Sequence, residues 1–85
     1  MLYRIFTEDM NRNKLHRLVG QYFDGFTSFV AQGFGKGVQE PSRVIEIVAE
    51  RDDILAIKTL CHEIKRLNDQ ESVLLQAIEL KSCFI

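Results

Sequence analysis

The chain contains no tryptophan, one proline, two cysteines and two histidines in 85 residues. Each shortage closes a route. A pair of cysteines is too few for the disulfide framework that staples small secreted domains, so Cys61 and Cys83 read as free thiols. His16 and His62 fall on separate amphipathic stretches with no ligand spacing around them, and they read as surface side chains rather than metal ligands. Neither charge is in excess: 11 Lys and Arg stand against 12 Asp and Glu, a net charge of −1, which leaves no general positive field and disfavours nucleic acid. No apolar run is long enough to cross a bilayer, and the opening MLYRIFTEDM alternates charge with bulk instead of forming a secretory leader. Near the other end, Cys83 has two residues after it rather than the three a prenyl anchor needs. The expectation is a cytoplasmic protein with no membrane partner.

What is present is a globular balance, 46% hydrophobic and 27% charged residues, which predicts a single domain over residues 1–85 with one small core. LYRIFT, from Leu2 to Thr7, reads as a strand. Leu15, Leu18, Val19, Tyr22 and Phe23 then recur at helical spacing, with Asp9 or Asn11 as the expected cap and Asp24-Gly25 as the stop. FTSFVAQ, from Phe26 to Gln32, reads as a second strand, and SRVIEIVAE after Pro41 as a third, the two joined by a hairpin across residues 33 to 41. A second helix follows, capped by Asp52 and Asp53 and carrying the stripe Ile57, Leu60, Cys61, Ile64 and Leu67; within ESVLLQAIELKSCFI lies a fourth strand. The order βαββαβ predicts an α+β, ferredoxin-like sandwich: a four-stranded antiparallel sheet with two helices on one face.

Strand alternation assigns Tyr3, Ile5, Ile45, Ile47, Val73, Leu75 and Ala77 to the helix-covered face. It leaves Leu2, Phe6, Val44, Val48, Leu74, Ile78 and Leu80 on the other. A solvated sheet face normally alternates to polar residues, so this second face predicts a covering layer, most simply a homo-oligomer, dimer or trimer.

QGFGKGVQE, residues 32 to 40, gathers Gly33, Gly35 and Gly37 around Phe34 and Lys36. Such a run is either a Gly-rich hairpin tip or a cradle in which backbone N–H groups converge on an anion, with Lys36 adding charge. It is no Walker loop, because no Ser or Thr follows the lysine. A second anion contact is proposed at Arg43, just past the hairpin. The GFGKG run between FTSFVAQ and EPSRVIEIV, set in the βαββαβ order, resembles the PII signal-transduction family. That resemblance implies an oligomer with nucleotide clefts between subunits and phosphate contacts at Gly33, Phe34, Gly35 and Lys36. This chain carries Asn68-Asp69-Gln70-Glu71 where that family has a second phosphate loop, and its hairpin is shorter.

The ligand-binding set expected from the sequence is therefore Gly33, Phe34, Gly35, Lys36, Gly37 and Arg43. The function expected is non-enzymatic binding or sensing of an anionic, nucleotide-like molecule by a homo-oligomer, with no resident cofactor and no metal site. Two readings stay open beside it. One is a protein-interaction or inhibitor module that uses the 33–41 hairpin and a free strand edge. The other is a small dimeric enzyme, although the chain shows neither a nucleophile elbow nor a Cys/His pair, and its paired carboxylates sit where helix caps belong.

Overall fold

A computed structural model describes residues 1–85. The elements are β1 (Leu2–Glu8), α1 (Arg12–Tyr22), β2 (Thr27–Gly35), β3 (Val38–Val48), a 3-10 turn (Arg51–Asp53), α2 (Ile54–Leu67) and β4 (Leu74–Ile78). The strands form one antiparallel sheet in the order β2-β3-β1-β4. This is the ferredoxin-like sandwich, with both helices on one face of the sheet. No helix is long and apolar enough to cross a membrane.

The core follows from strand alternation. Tyr3 and Ile5 of β1 pair with Ile47 and Ile45 of β3, and all four side chains point at the helices. Leu15 and Val19 of α1 and Ile57, Leu60 and Ile64 of α2 close over them. Cys61 and Leu67, expected on the buried stripe of α2, pack against its margin instead.

The two helices begin differently. Ahead of α2 a reciprocal capping box closes the 3-10 turn, with Glu50 N–H donating to Asp53 Oδ2 (2.9 Å) and Asp52 adding negative charge, whereas Asp53 makes no side-chain capping bond to α2 itself. At α1 the expected side-chain cap does not form. Asn11 instead takes a left-handed backbone (φ 53°), which asparagine tolerates, and its amide donates to Asn68 Oδ1 at 3.0 Å. Asn68 is buried. Its Nδ2 donates to Thr7 Oγ1 (3.0 Å) and Gln70 Oε1 (3.3 Å), while Gln70 Oε1 also accepts from Thr7 Oγ1 and from the Glu8 N–H. This network ties the exit of α2 to the end of β1 and the entry of α1.

The hairpin corrects the sequence reading. The turn is only Lys36-Gly37, with φ of 51° and 78°, and Gly33 and Gly35 lie inside β2 opposite Glu40 and Val38. Two consecutive positive φ values make a type I′ turn, whose twist matches that of the flanking strands, so pairing runs right up to it. Pairing of β1 with β3 stops at Glu8↔Ser42. Beyond it, from Gln32↔Pro41 to Gly35↔Val38, β2 and β3 have only each other and form a two-stranded arm.

The uncovered face is banded. Leu2, Val48 and Ile78 form one cross-strand row; Phe29, Val44, Phe6 and Leu74 form another. Between them run Thr27, Glu46, Arg4 and Gln76, where Arg4 Nε donates to Glu46 Oε2 at 2.8 Å. Val44 is buried even on this side, whereas Val48 and Leu74 are largely exposed.

Asn68→Ala should destabilise the fold by about 1–3 kcal/mol, because Thr7 and Asn11 lose their buried partner. Ile45→Ala should cost about 2–5 kcal/mol through the cavity it leaves. Urea unfolding followed by circular dichroism checks both, with the midpoint falling while the slope stays constant.

Candidate functional site

The structure places Gly33 and Gly35 of the glycine run in a strand ladder rather than in a loop. A two-residue hairpin fixes Gly35↔Val38 as a pair that exchanges both hydrogen bonds, and alternation gives Gly33↔Glu40 the same role. The amides of both glycines are thus spent on β3. Lys36 and Gly37 occupy the tip, and Phe34 projects from the arm with 72% of its surface exposed. Arg43 does not join them. It lies seven residues from Lys36, roughly 23 Å along an extended strand, and shares the helix-covered face with Ile45 and Ile47.

Arg43 is only 5% exposed, and its surroundings account for its charge. Its Nε donates to Asp9 Oδ1 (2.9 Å) and its Nη1 to Ser28 Oγ (2.7 Å). Ser28 Oγ also lies 2.7 Å from His16 Nε2. Since Arg43 can only donate, the serine proton is free to point at His16 Nε2, which then accepts as the neutral Nδ1–H tautomer. His16 is therefore no free surface group. It is half-buried, with its ring 5.8 Å from that of Phe26. Burial first, then the Arg43 and Arg12 charges, hold its pKa below the usual histidine value. The parity of Arg43 with Ile45 and Ile47 is the sequence signal that could have placed it inside.

A recess that the sequence did not reveal opens at the root of the arm. It measures about 310 Å³, and its walls include Phe6, Glu8, Phe34, Glu40, Ser42 and Gln70. A second recess, of about 280 Å³, lies beside it and shares Glu8 and Glu40. Neither has a Lys or Arg in its wall. Two carboxylates on the same sheet face as the Phe6 ring favour a cation with a flat apolar body over a phosphate, while Phe34 alternates to the other face of the arm. Neighbouring Thr7 and Gln70 are held by the Asn68 network, which gives the recess a rigid floor.

Other places offer less chemistry. The largest recess, about 460 Å³, lies between Met1, Glu50, Arg51 and the segment Glu79–Lys81, and its Arg51 and Glu79 pair with each other. No group of three or more His, Cys, Asp or Glu side chains is placed to hold a metal ion. Burial pushes the Cys61 thiol up to about 11, which suppresses the reactive thiolate.

No family model matches the sequence, and no curated protein matches it. Among solved structures, a phage SAM lyase in its apo state superimposes with a TM-score of 0.67 at 19% identity, over 87% of this chain and 75% of that one. At this identity the likeness shows a shared ferredoxin-like fold, a frame compatible with ligand binding or catalysis.

The direction of the His16 shift yields a pH dependence. The unfolded chain takes up this proton near pH 6.5 and the folded chain only at lower pH, so the stability it contributes is complete above about 6.5 and is lost as pH falls. His16→Gln should flatten the fall in stability between about pH 7 and pH 5. Urea unfolding at several pH values reads the difference.

Proposed function

We propose that the protein is a small-molecule-binding domain whose ligand sits in the recess at the root of the arm and combines a nucleoside-like body with positive charge. S-adenosylmethionine is the leading candidate. The observation that carries this reading is the recess itself, in which Glu8 and Glu40 share a sheet face with Phe6 and no basic side chain lies in the wall. A sulfonium or ammonium group would be drawn to the carboxylates and an adenine ring to the Phe6 face. The fold shared with a SAM lyase supports the same class. The sequence-based expectation of a nucleotide-like ligand is kept, and its anionic part gives way, because Lys36 at the arm tip is the one cation of the glycine run and the glycine amides are committed to the ladder. The resemblance to PII-type sensors is then one of frame alone.

A second reading is an enzyme acting on the same ligand. It is favoured by the lyase among the structural relatives, and by Glu8 and Glu40 in the wall of the recess, where a carboxylate could accept a proton.

Calorimetry with S-adenosylmethionine, S-adenosylhomocysteine and ATP tests the assignment. The sulfonium compound should bind best and the uncharged thioether about tenfold more weakly. Glu40→Gln should weaken the first and spare the second. ATP binding that disappears in Lys36→Ala would return the phosphate cradle, and silence from all three compounds would remove the ligand proposal. Mass spectrometry of the incubated compound then separates binding from turnover.

A further inference from the structure

The arm has two long edges, and they are not alike. Along β3, Pro41 and Glu40 stand just past the last pair with β1, and a proline and a charge are the usual guards against strand addition. Along β2 there is no guard. Thr27–Gly35, TSFVAQGFG, has no charged residue and no proline in nine positions, and it forms an outer edge of the sheet for its whole length. β4 is the other outer edge, but it runs for only five residues between Glu71 and Glu79.

The two glycines of β2, Gly33 inside the strand and Gly35 at its end, have no internal explanation. Glycine in a strand weakens it, and the usual compensations are a positive φ or a crowded neighbour. Neither Gly33 nor Gly35 has a positive φ. A Cβ at Gly33 would meet only ordinary contacts at 3.7 and 4.0 Å, and one at Gly35 would meet nothing within 4 Å.

The geometry points to a homodimer in which β2 of one copy pairs antiparallel with β2 of a second copy, about a two-fold axis at Ala31. The pairing of β2 with β3 uses the N–H and C=O groups of Phe29, Ala31, Gly33 and Gly35, so those of Ser28, Val30, Gln32 and Phe34 face outward. With the axis at Ala31, Val30 meets Gln32 and Ser28 meets Phe34 as hydrogen-bonded pairs, about eight bonds over the two halves. The intervening close pairs set Phe29 against Gly33 and Thr27 against Gly35. A glycine opposite an aromatic ring leaves that ring room to lie flat on the neighbouring strand. The ends are complementary as well, since Asp24 precedes β2 and Lys36 follows it, and the antiparallel arrangement brings these opposite charges toward each other. The occupant is a second copy because its β2 offers an equally long uncharged edge in matching register. The result is an eight-stranded sheet that leaves the banded face open and sets a phenyl ring of the second copy against Gly33, at the margin of the arm-root recess.

Sedimentation equilibrium and a positional cross-link test the pairing. The native chain should sediment as a dimer. Ala31→Cys combined with Cys83→Ser should give a covalent dimer under mild oxidation, because facing positions of a close antiparallel pair lie within disulfide reach. Val30→Pro removes an outward N–H that the single chain does not use. It should yield monomers with an unchanged circular dichroism spectrum and no cross-link. Val30→Lys, which sets like charges diagonally across the axis, should do the same without a backbone change. Val48→Glu, on the open face, should leave the dimer intact. A native chain that sediments as a monomer overturns the inference, and so does a dimer that survives both Val30 substitutions without the 31–31 cross-link.

Discussion

The pairing of β1 with β3 is the constraint on which the rest of the molecule depends. These are the two central strands, and their register sets Ile5 against Ile45 and Tyr3 against Ile47. Because side chains alternate between faces, that register decides at one stroke which residues meet the helices and which are left outside. A slip by one residue would expose the isoleucine core and turn Arg4, Glu46 and the open-face aliphatics toward α1 and α2. The buried Arg43–Asp9 pair and the Thr7–Asn68 contact sit at the end of this same ladder, where β1 gives way to α1. They act as a polar clasp at the point where an apolar core thins out.

Most of this frame was legible in the sequence because it is written in periodicities. IEIV alternates at a period of two and KTLCHEIKRL carries its apolar stripe at helical spacing, so element types and the two faces of the sheet follow directly. The arm was not legible, for two physical reasons. Glycine contributes no side chain to an alternating pattern, so GFG inside β2 reads as a loop. Pro41 also reads as a break, yet by alternation its nitrogen faces the side where β1 has already ended, and no ladder bond is lost there.

The candidate site was less legible than the fold, and the misreadings share a cause. By residue type alone, Arg43 reads as an anion contact and His16 as a surface imidazole. Their partners Asp9 and Ser28 come from different elements and converge only in three dimensions. The recess at Phe6, Glu8 and Glu40 is likewise assembled from β1, β2 and β3, with no local motif to announce it. A glycine pattern drew attention to backbone amides, whereas the chemistry offered there is that of carboxylates and aromatic rings.

The outward reach of the β2–β3 arm also sets how unevenly the molecule resists opening. The ladder between β1 and β3 lies under the helices, so its amides exchange with solvent only when the whole domain comes apart. Within a single chain the last rungs toward Lys36-Gly37 have water on both faces and no third strand, and they can part while the domain stays whole. One continuous strand thus spans two mechanical regimes, anchored at Ile47 and compliant at Val38, and whatever grips the free end is coupled to the body through Ser42 and Arg43.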